Sequence, residues 1–169
     1  MYHSDLLVPS SAPQRATGTR IRTDLRRLRI SDPAMRAMTD FQREPPLTAA
    51  EDCDLDTALD NMFRLGVRAF LVVRELVVVG LITVEDIRQA RGSAATRVVE
   101  VMTGAADMPA IDWQTVQESR VRDLLEIFEG ANVHHLVVLE SQSAQRAAVR
   151  GLVHRSRVER RLHLSAGTL

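Results

Sequence analysis

Apolar and polar positions fall into the same order twice along the chain. Leu55, Ala58, Leu59, Met62 and Phe63 recur at helical spacing, as do Val121, Leu124, Leu125 and Phe128, which predicts two amphipathic helices with one buried face each. Asp52 or Asp54 can cap the first helix and Ser119 can begin the second. Gly66 stops the first, and Gly130 with Asn132 stops the second. Each helix is followed by two nearly unbroken apolar runs, "RAFLVV" with "ELVVVGLITV" and "HHLVVLE" with "AAVRGLVH". Runs this apolar predict hairpin strands covered on both faces, the first pair joined across Arg74-Glu75. A last helix closes each copy, "VEDIRQAR" and "RSRVERRLHL".

The two copies stay in step at several landmarks. Met38-Thr39 falls on Met102-Thr103 at an offset of 64, Val67 on Val133 at 66, and Gly80 on Gly151 at 71. The extra residues lie in "ESQSAQRAA", between two strands, where added length costs little because loop-closure entropy grows slowly. Ahead of the repeats the chain is different. "VPSSAPQRATGTR" reads as a flexible arm, and Ile21, Leu25 and Leu28 would then form a short amphipathic helix with an arginine-covered back. That segment suits a helix lying on the body or on a partner subunit; it also suits a patch for nucleic acid or an acidic partner. The expected organisation is an N-terminal arm and helix over 1–34, a first repeat over 35–97 and a second over 98–169.

Composition narrows the class. With 169 residues, 45% of them apolar, the chain can bury one sizeable core or two small ones packed together. It has no apolar run long enough to span a bilayer and no basic-then-apolar leader, so a soluble cytoplasmic protein is expected. The formal net charge is zero and aromatics are 4%, which disfavours nucleic acid as a partner. All 22 basic residues are arginine, and arginine brings forked donors suited to phosphate wherever it lines a cleft. The single cysteine, Cys53, sits in "AEDCDLD", where acidic neighbours raise a thiol pKa and argue against a nucleophile.

Helix, two strands and helix, opened by Met-Thr and closed by Gly-apolar-apolar-Thr-x-x-Asp, resembles the cystathionine-β-synthase (CBS) domain. The order occurs twice, over about Met35 to Leu164, so the chain resembles a tandem pair, or Bateman module. The chain departs from the family pattern at Leu71 and Val137, where the first hairpin strand usually carries proline. The resemblance implies an α/β (α+β) fold: two β-α-β-β-α repeats about a pseudo-twofold axis, with two clefts for adenosine-containing ligands such as AMP, ADP, ATP or S-adenosylmethionine. It also implies a homodimer. No nucleophile-and-base constellation, Walker-type loop or paired-carboxylate arrangement stands out in the sequence, so a regulatory rather than enzymatic role is expected, with no required cofactor and a protein partner as reader. A ligand-free dimer that serves only protein interaction is the alternative.

The chemistry of "GLITVEDI" suits such a ligand. Gly80 allows close backbone approach, and Thr83 can cap the following helix, whose N-terminus offers N–H donors to a phosphate. Asp86 can accept from two ribose hydroxyls. The resemblance assigns Thr83 and Asp86 the same roles, although Thr-x-x-Asp is also a plain capping box. In the second copy His154 and Arg157 stand at these positions, and a guanidinium has no acceptor for ribose. The first-repeat cleft is therefore the expected site. The resemblance further places Pro46, Leu47 and Thr48 against the base, and Arg68 with Ala69 and His134 with His135 facing the central clefts. Adjacent strand residues point to opposite faces, so His134 and His135 cannot chelate one metal together. One of them, titrating near neutrality, could add a pH-dependent donor.

Overall fold

The computed structural model describes residues 5–7, 14–15 and 27–166. In chain order its strands and α-helices are β1 (Asp5–Leu7), β2 (Gln14–Arg15), β3 (Thr39–Asp40), β4 (Leu47–Ala50), α1 (Leu55–Leu65), β5 (Ala69–Arg74), β6 (Val77–Thr83) and α2 (Val84–Gln89). They continue with β7 (Thr103–Gly104), β8 (Ala110–Asp112), α3 (Trp113–Glu118), α4 (Val121–Ala131), β9 (His135–Ser143), β10 (Arg146–His154) and α5 (Arg155–Ala166). The first repeat runs β4-α1-β5-β6-α2. The second follows the same order as β8-α4-β9-β10-α5, with α3 added between β8 and α4.

The strands join in the order β2-β4-β5-β6-β1-β10-β9-β8, with β3 on β10 and β7 on β6. Alternation along the hairpins explains why they are apolar throughout. Phe70, Val72 and Ile82 face the first repeat's helices, while Leu71, Val78 and Leu81 face a core shared with Val137 and Val149 of the second repeat. Leu136, Val138 and Val153 face the second repeat's own helices. The middle of each hairpin is thus covered on both faces.

The opening strand of each repeat lies on the other repeat's sheet. β3 pairs with β10 at Gly151 and Leu152, and β7 pairs with β6 at Gly80 and Leu81. The strand register slips just before both glycines, leaving Val79 and Arg150 as the extra residues. Their carbonyls accept from the visiting segment, Val79 O from Ala105 N at 2.9 Å and Arg150 O from Phe41 N at 3.0 Å. A Cβ on Gly80 would meet Thr103 O at 2.6 Å and Met102 Sδ at 2.8 Å; one on Gly151 would strike Thr39 O and Met38 Cε. The close approach expected at Gly80 is therefore made by the chain's own backbone. Arg150 locks the second crossover, donating to Asp40 at 3.1 and 3.3 Å with its guanidinium 4.3 Å above the Trp113 ring.

Several local expectations are refined. Asp54, not Asp52, caps α1, accepting from the N–H of Asp56 at 3.0 Å and of Thr57 at 3.3 Å, and Gly66 ends it at φ 68°. Asp54→Ala is expected to cost about 1 kcal/mol in a urea melt, with Asp54→Asn retaining most of it; no difference between the two would refute the cap's role. Ser119 ends α3 instead of starting α4, its hydroxyl bonded to Thr115 O at 2.7 Å. Asp123 begins α4 by accepting from Arg120 N at 2.6 Å. Gly130 is helical, and the left-handed residue after α4 is Asn132 at φ 51°. The first hairpin turns on Glu75, at φ 56°, and Leu76.

Of the expected arm, residues 5–7 and 14–15 are strands. Leu6 is buried in the shared core, and β1 bridges the repeats by pairing with both β10 and β6. Of the amphipathic helix, Ile21 and Leu25 lie outside the described residues; Leu28 is fully buried against the second repeat but is not helical. No helix among the described residues is long and apolar enough to cross a membrane.

Candidate ligand cleft

A cavity of about 290 Å³ opens between the repeats. Its apolar wall comes from the first repeat, with Pro45 and Leu47 at the start of β4, Met62 and Val67 around the end of α1, and Leu71 on β5. Its polar wall comes from the second repeat, where β10 ends and α5 begins, and carries His154, Ser156, Arg157 and Arg160. Arg68 and Glu44 complete the polar side. Arg157 reaches back to β3, its Nη1 donating to Thr39 Oγ1 at 2.6 Å. Arg68 and Arg160 are exposed. Three guanidinium groups and one carboxylate therefore border a largely apolar space, which suits a flat apolar group joined to an anion.

His154 and His135 pair across β9 and β10 with ring centroids 4.2 Å apart at 74°. Burial is the main reason both stay neutral. It pushes His135 down to about 3, helped by the charges of His154, His134 and Arg68. It pushes His154 down to about 4, helped by Arg68, His134, Arg157 and Arg160. The expectation of titration near neutrality thus does not hold for His135, because its ring is desolvated. His134 is exposed and lies just before β9.

The expected site residues fall in different places. Leu47, Arg68 and Ala69 line the cavity, together with Val84. Pro46 and Thr48 are buried beside it without lining it. Thr83 and Asp86 also lie off the lining and are closed on each other. The Asp86 carboxylate accepts from Thr83 N at 2.8 Å and from Thr83 Oγ1 at 2.7 Å, while Thr83 Oγ1 accepts from Asp86 N at 3.1 Å. The structure thus joins the first repeat's Leu47 and Arg68 to the second repeat's His154 and Arg157, not to Thr83 and Asp86. Glu44 and Arg160 escaped the sequence reading. Arg160 lies one helical turn beyond Arg157, and Glu44 immediately precedes the Pro-Pro step into β4, so spacing could have raised both.

Burial also raises the Cys53 thiol pKa, with Asp54 and Asp52 adding to it. That agrees with a non-nucleophilic thiol.

Residues 38–93 match the model of the CBS domain. The chain contains a CBS domain there and has the fold of a CBS domain pair. Its fold recurs in solved structures of low sequence identity. An uncharacterized conserved protein from Pyrococcus horikoshii is 17% identical and superposes with a TM-score of 0.59, covering 84% of this chain and 98% of that one. The CBS domain pair of protein MJ0100, in complex with 5′-methylthioadenosine and S-adenosyl-L-methionine, is 19% identical, with a TM-score of 0.56 over 83% of this chain and all of that one. The CBS domain of the bacterial CNNM/CorC family Mg2+ transporter, in complex with ATP, is 16% identical, with a TM-score of 0.57 over 79% and 89% of the two chains. No curated protein matches the sequence.

Proposed function

We propose that this CBS module is a non-catalytic regulatory unit that binds a phosphorylated adenosine ligand in the cleft between Leu47 and α5. The observation that carries the reading is the meeting of an apolar wall with Arg68, Arg157 and Arg160 in one cavity. Adenine suits the wall at Pro45, Leu47 and Val67, and phosphate suits the guanidinium side. The adenosyl ligands bound by the MJ0100 pair and the transporter domain support the same ligand class. A phosphorylated nucleotide is favoured over S-adenosylmethionine, whose sulfonium would lie near three like charges.

Because the cleft draws its walls from both repeats, an occupant binds one arrangement of the repeats better than another. That difference is the free energy available for signalling to a partner. The reading includes self-association into a homodimer, for which Phe63, 55% exposed on α1, offers an apolar contact. A ligand at Thr83 and Asp86 would have to compete with three internal hydrogen bonds.

Calorimetry with ATP, AMP and S-adenosylmethionine tests the proposal. One nucleotide per chain is expected, and Arg160→Ala should weaken it about tenfold, the loss of one charge-assisted contact. Asp86→Ala should change affinity by less than about twofold. Failure of every ligand to bind would sink the reading; loss of binding in Asp86→Ala with Arg160→Ala unaffected would move the site to the Thr83 corner.

A further inference from the structure

Among the cleft's lining side chains two atoms able to accept are buried without a hydrogen bond among the described residues, Glu44 Oε2 and His154 Nε2. The Glu44 backbone is fixed: Glu44 N donates to Asp40 O at 3.0 Å, and Asp40 is clamped by Arg150, so the turn from Asp40 to Glu44 is anchored on the second repeat. A buried acceptor held in this way is costly unless something donates to it. The other polar lining groups are less suited to accept from two hydroxyls, and the neutral His154 ring offers at most one lone pair, at Nε2. Arg68, Arg157 and Arg160 carry donors only. Thr39 Oγ1 accepts from Arg157, and Ser156 Oγ lies 3.2 Å from His154 Nδ1. Among the lining side chains Glu44 alone carries a carboxylate.

We infer that Glu44 accepts from the ribose hydroxyls of the ligand. The inference rests on the proposed nucleotide reading and adds the residue that reads the sugar. The lining carboxylate thus stands on the turn ahead of β4, while Arg157 on α5 is a donor suited to phosphate. A carboxylate repels phosphate and so directs the ligand's neutral, donor-bearing portion toward Glu44.

Calorimetry with ATP, 2′,3′-dideoxy-ATP and inosine triphosphate on the wild-type chain and on Glu44→Gln tests this. Wild type should bind the dideoxy analogue about tenfold or more weakly than ATP and the inosine analogue within about threefold of ATP. In Glu44→Gln the ATP affinity should fall to near that of the dideoxy analogue, whose own affinity stays unchanged, closing a double-mutant cycle. Equal wild-type affinities for ATP and the dideoxy analogue would overturn the assignment, as would an undiminished ratio in Glu44→Gln. Discrimination against the inosine analogue alone would overturn it too, placing Glu44 on the base. Each of these results leaves the nucleotide reading standing; no binding by any of the three removes both. Should Glu44→Gln fail to fold, the wild-type comparison of the three ligands decides.

Discussion

Acidification from pH 7 to pH 5 is expected to remove about 3 to 4 kcal/mol of stability, most of it through His135 and His154. Both are depressed in the folded state, to about 3 and about 4, from an ordinary 6.5. The unfolded chain therefore binds more protons than the folded one below about pH 6.5. Stability falls as pH drops through that value and goes on falling until the folded rings themselves protonate, near pH 4 and 3. Each ring contributes about 2 kcal/mol at pH 5. Urea melts at pH 7, 6 and 5 would read the effect as a falling midpoint. His135→Leu should remove about half of the pH dependence. A midpoint that does not move between pH 7 and 5 would rule out the neutral buried pair.

Gly151→Ala should lower stability by about 2 to 3 kcal/mol, equivalent to roughly 5 to 10 °C in Tm. The added methyl would strike the backbone carbonyl of Thr39 and the Met38 side chain. The carbonyl is part of a strand ladder and cannot swing aside. Gly80→Ala meets the equivalent Thr103 carbonyl at 2.6 Å and should behave alike. Gly130→Ala is the control: the residue is helical with nothing within 4 Å of its Cβ, so stability should hold or rise slightly. If Gly151→Ala melts with the wild type, the tight crossover is not what holds the repeats together.

Much of the fold was legible because its signals are local. The 3.6-residue spacing from Leu55 to Phe63 marked α1, and the unbroken hairpin runs marked strands buried on both faces, which the shared core around Leu71 and Val137 explains. The landmark glycines were legible as positions, but their reason was not. What fills the space beside Gly80 is Thr103, which is remote in sequence and carries no local trace of the contact. The same limit governs the cleft. Leu47 and Arg68 could be recognised within the first repeat, yet which helix faces them depends on how the repeats pack. Thr83 and Asp86 read correctly as a capping box. Glu44 was legible only as the residue before the Pro-Pro step; its interest arises from a buried oxygen without a partner, a property of the assembled site.

The exchanged opening strands also bear on how the chain comes off the ribosome. Thr39 is made early, yet its ladder partner Leu152 follows 113 residues later, and Leu7 waits similarly for Ala148. The first repeat can form α1 and the β5–β6 hairpin while its own leading segment is still unplaced. β7, by contrast, finds β6 already made and can dock at once. Vectorial synthesis therefore closes one crossover early and the other last, leaving β3 without its ladder partner until β10 is made.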